Sequence, residues 1–151
     1  MPTLYLDADA CPVKDEAYRV AGRYGVRTVV VANSTMWVPS GPLVELVVRA
    51  GFGAADDHIA EVAGPGDVVV TADIPLAGRA LAKGARVVDP RGREITDNEI
   101  GAALGMRELM EELRARGEAT GGPPPMAAKD RSRFLSKLDE VLVAVRRKHG
   151  G

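Results

Sequence analysis

The sequence predicts an α/β protein built on a parallel sheet. Three observations carry that reading. Short apolar runs recur at Leu4–Leu6, Val26–Ala32, Asp67–Asp73 and Ala85–Val88, the last three rich in β-branched valine. Between them lie stretches with helix starts and stops, and the strand-like runs are too short and too sharply bounded by polar or turn residues to be helices. Strands alternating with helices imply right-handed crossovers between parallel neighbours.

The elements follow in order. Leu4-Tyr5-Leu6 is too brief for a helix and is bounded by polar residues, so it reads as a buried strand. Pro12 suits the first position of a helix, where a missing N–H costs nothing, and that helix runs from Val13 to Tyr24 and stops at Gly25. Val26–Ala32 is the strongest strand, with Asn33 at its end as a turn former or a site residue. The only Trp, Trp37, falls in a loop and is expected to act as a lid or packing plug. Pro42–Ala50 reads as a short apolar helix and Ala54–Ala63 as another, followed by the turn Gly64-Pro65-Gly66. After the strand at 67–73, Ile74–Lys83 is a helix with Pro75 near its start and Gly84 past its end. Beyond the strand Ala85–Val88, Arg91-Gly92-Arg93 turns the chain into a helical C-terminal part. There Met106, Leu109, Met110 and Leu113 form one stripe of an amphipathic helix. Residues 119–128 are a Gly/Pro-rich linker, and residues 129–149 a last helix whose apolar face must pack back on the body or on another subunit.

With 151 residues, one domain spanning 1–151 is expected. No apolar run reaches the roughly 18 residues of a membrane helix and no leader opens the chain, so no membrane association is expected. The single cysteine, Cys11, makes no internal disulfide, and a cytoplasmic setting is expected. Charge is unevenly spread: from Ala50 to Gly78 there are five acids and no Lys or Arg. Residues 129–148 carry seven basic and three acidic side chains, hence +4, a distribution that suits a polyanion held near bound cations.

The chemistry sits at strand ends. Asp7 and Asp9 follow the first strand and Asp73 follows the strand at 67–73. In an open α/β sheet that edge is where ligands bind. If the two strands are neighbours, these carboxylates converge, and Asp56 and Asp57, at the start of a helix, can approach them. Such carboxylates cannot all stay ionised together without a cation. Oxygen-only donors favour Mg2+ or Mn2+ over zinc, and two His with one Cys make a zinc site improbable. The bland alternative is that one of Asp7 and Asp9 caps the first helix while the other is solvated, and that one of Asp56 and Asp57 caps its own helix. Cys11 offers a further alternative, a reactive thiol at a helix start, against that of a small packing residue.

Several segments together resemble a known family. They are Asp7-Ala8-Asp9-Ala10-Cys11-Pro12-Val13-Lys14, Val31-Ala32-Asn33, Gly51-Phe52 with Ala55-Asp56, Thr71-Ala72-Asp73-Ile74-Pro75-Leu76-Ala77, Pro90-Arg91-Gly92, and Gly121-Gly122-Pro123 followed by Asp130-Arg131. They look like the YaiI/YqxD family of small bacterial proteins over nearly the whole chain. That family is similar to PIN-like domains, mostly metal-dependent ribonucleases. The resemblance implies a three-layer domain with four to five strands ordered 3-2-1-4-5, and a metal-binding acidic site made of Asp7, Asp9, Asp56 and Asp73. Gly53 stands where the family often has an acid, so the resemblance leaves the site one ligand short or completed by Asp57. RNA is the implied partner, with Lys14, Arg91 and Arg131 as candidate phosphate contacts. Two rivals stand beside this reading: a PIN-like module that binds RNA or protein without cleaving, and a haloacid-dehalogenase-like phosphatase with Asp7 as nucleophile.

Overall fold

The strand at the start of the chain shows how the sheet is built. In β1 (Thr3–Asp7), side chains alternate between the two faces, so Leu4 and Leu6 enter one apolar cluster while Tyr5 enters the other. β2 (Arg27–Ala32) does the same, with Val30 on the Leu4 side and Val29 and Val31 on the Tyr5 side. Burial on both faces is what makes these runs so uniformly apolar. The computed structural model describes residues 2–101 and 126–148. The Met106–Leu113 stripe, most of the 119–128 linker and residue 149 fall outside them.

Among the described residues, six strands form one sheet in the order β3-β2-β1-β4-β5-β6, with β3 (Val44–Val48), β4 (Val68–Val70), β5 (Arg86–Val88) and β6 (Glu94–Ile95). Every pairing is parallel except β5 with β6. The order 3-2-1-4-5 stands, extended by a sixth, antiparallel strand. Helices α1 (Lys14–Arg23) and α4 (Ala128–Lys148) cover one face, and α2 (Ala54–Val62) and α3 (Ile74–Ala82) the other, giving three layers.

Three expectations are corrected. The segment Pro42–Ala50 is not a helix: it holds β3, paired in parallel with β2 from Thr28↔Val44 to Ala32↔Val48. Three of its five residues are valine, which fits a pleated strand, and Glu45 accepts two hydrogen bonds from Arg27 on β2 at 2.7 and 2.9 Å. Pro12 does not open α1. The chain first makes a single 3-10 turn over Ala8–Ala10, and α1 starts at Lys14 with no side-chain cap. Finally, Trp37 plugs nothing, being 75% exposed.

The C-terminal helix packs on its own chain. Phe134, Leu138, Val141, Leu142 and Val145 are buried in the same cluster as Ala17, Val20 and Ala21 of α1. Polar contacts pin its outer side: Arg131 Nη1 donates to the Pro12 carbonyl at 2.8 Å and to Glu16 at 3.1 Å. Asp139 accepts from Tyr24 Oη at 2.7 Å and also from Arg23. Gly92, at the β5–β6 turn with φ +88°, lies so close that a Cβ there would stand 2.4 Å from the Arg133 carbonyl carbon. Among the described residues, no helix is long and apolar enough to cross a membrane.

Candidate functional site

Strand order decides where a site can form. β1 lies between β2 and β4, and its two neighbours are reached from opposite directions along the sheet, so the sheet has a switch point between β1 and β4. The crevice outside the carboxyl ends of those strands is the default ligand position in such a sheet. Asp7 is the last residue of β1, and Thr71 directly follows β4.

These two side chains meet. Thr71, buried like Asp7, donates its hydroxyl to Asp7 Oδ2 at 2.9 Å, and its oxygen accepts from the Asp73 backbone N–H at 3.0 Å. Asp73 is the N-cap of α3: its Oδ1 accepts from Leu76 N at 2.9 Å, with Pro75 in the first turn. Asp9, on the 3-10 turn, accepts through Oδ2 from the Asn33 backbone N–H at 2.9 Å, which ties the end of β1 to the end of β2. Asp56 lies in the first turn of α2, a helix that opens from Gly53 in the left-handed conformation (φ 72°) without a side-chain cap. The helix carrying Asp56 thus lacks the cap that the bland reading gave it, and the carboxylate that does cap a helix is Asp73. Neither Asp7 nor Asp9 caps α1.

Asp7, Asp9, Asp56 and Asp73 line one cavity of about 470 Å³, together with Asn33, Phe52, Gly53 and Ala55. Among the described residues, none that lines it is basic. Asp7 is 5% exposed. Burial pushes its carboxyl up to about 6; the neighbouring charges of Asp56, Asp73 and Asp9 push the same way, and only the Thr71 hydrogen bond opposes them. Asp56 is also raised, first by burial and then by Asp73 and Asp57, with Arg79 opposing. Among the described residues, no three acidic, His or Cys side chains are drawn close enough together to hold a single ion as they stand. By donor type the four carboxylates are of the kind a hard divalent cation takes: all are oxygen donors, one is buried among like charges, and among the described residues no cation lines the cavity.

The other predicted residues lie elsewhere. Asp57 points to Arg79, whose Nη1 is 2.7 Å away at the surface, and does not line the cavity. Lys14 Nζ donates to the Cys11 carbonyl at 2.7 Å. Arg91 Nη1 donates to Asp130 at 3.1 Å, and Arg131 is held on Pro12 and Glu16. None of these three cations lines the acidic cavity. Cys11 is buried and its thiol is pushed up by that burial, which fits a packing residue rather than a nucleophile. Sequence reasoning passed over Phe52 and treated Asn33 chiefly as a turn former. Thr71 entered only as part of the Thr71–Ala77 segment of the family resemblance. The signal for Thr71 was its place at a strand end, two residues before a capping Asp.

A three-layer α/β protein with a switch-point crevice lined by carboxylates is the class that fold and site define. Within it, the chain belongs to the YaiI/YqxD family, whose model, described as "Uncharacterized BCR, YaiI/YqxD family", matches residues 5–144. It is similar to a UPF0178 protein of Caulobacter vibrioides, 56% identical over 146 residues that span 96% of this chain and 95% of that one. It is also similar to a UPF0178 protein of Paramagnetospirillum magneticum, 51% identical over 148 residues, 97% and 98% of the two chains. A Bradyrhizobium diazoefficiens UPF0178 protein is 54% identical over 146 residues, 96% of this chain and 87% of its own. No solved structure matches the chain significantly.

Proposed function

We propose that the chain is a PIN-like, Mg2+- or Mn2+-dependent hydrolase of RNA phosphodiesters. The observation that carries this reading is Asp7: a buried carboxylate facing three others in a cavity where, among the described residues, no basic side chain balances them. Charge of one sign packed against itself destabilises the chain, and such an arrangement is explained when a ligand of opposite charge is bound there. Asp7 and Asp73 would hold the ion directly, and Asp9 and Asp56 directly or through water. The ion, when bound, supplies Lewis acidity toward water and phosphate oxygens.

The chain's own residues do the rest. Thr71 fixes one oxygen of Asp7, Leu76 N fixes one of Asp73, and Asn33 N fixes one of Asp9. Each of these carboxylates thus has an orientation before any ligand arrives, which is the preorganisation a charged site needs. Asp56, on the first turn of α2 with its carboxyl raised above the usual range, would in the alternative to holding the ion polarise the attacking water. Because the cavity walls are acidic, phosphate binding depends on the ion. RNA binding and cleavage should therefore both require Mn2+ or Mg2+.

The test is a calorimetric Mn2+ titration paired with cleavage of single-stranded RNA, for the wild type and for Asp7→Asn and Asp73→Asn. The expected result is saturable ion binding and ion-dependent cleavage in the wild type, both lost or strongly weakened in the variants. A wild type that neither binds Mn2+ nor cleaves RNA would refute the proposal and leave a non-catalytic binding module.

A further inference from the structure

The six aromatic side chains of this protein are divided sharply by position. Phe134 and Tyr5 are buried, and Tyr18 and Tyr24 pack against the core. The other two are open to solvent: Trp37 at 75% and Phe52 at 108%, more than in an extended peptide. Both sit in loops that leave the carboxyl edge of the sheet, Trp37 between β2 and β3 and Phe52 between β3 and α2. That is the edge carrying the acidic cavity, and Phe52 is part of the cavity's lining.

The loop that carries Phe52 is a defined turn. Gly51 and Gly53 flank it at φ 114° and 72°, Ala54 N donates to the Gly51 carbonyl at 3.2 Å, and Asp57 N to the Gly53 carbonyl at 2.9 Å. A phenyl ring held outside the core adds nothing to folding. A single ring among carboxylates is also a poor anchor for a protein interface, which needs on the order of 1,000 Å² with a contiguous apolar centre. One flat ring suits one flat ligand group, and an unpaired nucleobase is the flat group that comes joined to a phosphodiester.

We infer that Phe52 is a stacking platform for an unpaired base, which makes the site selective for single-stranded nucleic acid over duplex. This rests on the reading of the cavity as a phosphodiester site and adds the substrate's form. In a duplex the base faces are already stacked, so Phe52 has nothing to receive. Phe52 positions the strand and takes no part in bond breaking.

The test uses the full chain, Mn2+ and a labelled, phosphorothioate-substituted oligouridylate, with binding read by fluorescence anisotropy. Phe52→Ala should weaken strand binding about tenfold, within the usual range for losing one base–aromatic stack. Phe52→Trp should restore it, and a duplex should bind worse than the single strand. The Mn2+ isotherm should be the same in all three proteins. The inference is overturned if Phe52→Ala binds the strand as the wild type does, if the wild type binds Mn2+ but not the strand, or if the only effect of Phe52→Ala is a change of assembly size in sedimentation, marking the ring as a protein contact. Failure of the phosphodiester reading looks different: no Mn2+ heat and no cleavage in the wild type, whatever Phe52→Ala does to strand binding.

Discussion

Replacing Asp7 by Asn should stabilise the metal-free protein at neutral pH. In the folded chain the Asp7 carboxyl is raised from 3.8 to about 6, chiefly by burial and then by Asp56, Asp73 and Asp9. The folded state therefore holds this proton more tightly than the unfolded state does. Stability linked to the group is fully present below about pH 4 and is lost as pH rises through about 6. Two pKa units at 1.36 kcal/mol each set the loss at about 3 kcal/mol above that window. Asn carries no charge and keeps an oxygen that can accept the Thr71 hydroxyl, so the variant escapes the loss. At roughly 2–4 °C per kcal/mol for a chain of this size, the variant should melt about 6–12 °C higher in EDTA at pH 7. The assay is thermal denaturation in EDTA from pH 4 to pH 8, repeated with Mn2+. The gap between the two proteins should open between pH 4 and 6 and stay constant above. Saturating Mn2+ should narrow or reverse it, because only the wild type gains a ligand. A variant that melts at or below the wild type in EDTA at pH 7 would show that Asp7 is not an electrostatic liability, and the case for an ion there would fail.

Three further substitutions probe how the site and the frame are held. Thr71→Val removes the donor of a buried bond to Asp7 and the acceptor of a partly buried bond from Asp73 N, and should cost about 1–3 kcal/mol in urea denaturation; an unchanged midpoint would mean the bridge is dispensable. Gly92→Ala sets a methyl against the backbone of α4 in a left-handed position. It should cost about 2–4 kcal/mol from strain and overpacking, and a melting temperature equal to wild type would contradict the close approach. Arg131→Ala breaks the contact of α4 with Pro12 and Glu16 and should lower stability by about 1 kcal/mol while leaving RNA affinity unchanged. Lost affinity at unchanged stability would return Arg131 to the phosphate-contact role that the sequence suggested.

What could be read of the fold follows from how much of each element is buried. β1, β2, β4 and β5 are covered on both faces, so their uniform apolar runs are legible without knowing their neighbours. The edge strands are not. β3 is only partly buried, and a short apolar run such as Leu43–Val48 satisfies a helix or a strand equally well by periodicity. β6 is two residues held by its pairing with β5, and two residues carry no pattern at all. The alternation of elements implies parallel pairing and crossover hand, but strand order depends on contacts far apart in sequence, and there the family resemblance supplied the answer.

The site was legible to the extent that a carboxylate is out of place where it stands. Asp7 ends a buried strand, and nothing in local structure asks for an acid there. Asp73 sits before Ile74-Pro75 and would be an acceptable cap with no further role. Asp56 and Asp57 are adjacent on one helix, about 100° apart around its axis, so only one can face the crevice; sequence alone cannot choose, and the fold turns Asp57 outward to Arg79. Asn33 was undervalued because its contribution is a backbone N–H, which any residue but proline would supply. Phe52 was passed over because a lone ring between glycines has no periodicity to betray it. Capping accounts for Asp73 and a backbone amide for Asp9, and either could belong to an inert surface. Asp7 cannot be explained that way: among the described residues its side-chain partner is a hydroxyl that itself serves Asp73, and its burial raises the cost of its charge. A residue whose position is unfavourable for folding and is still built into the end of the central strand is the reason to look for a ligand at that point.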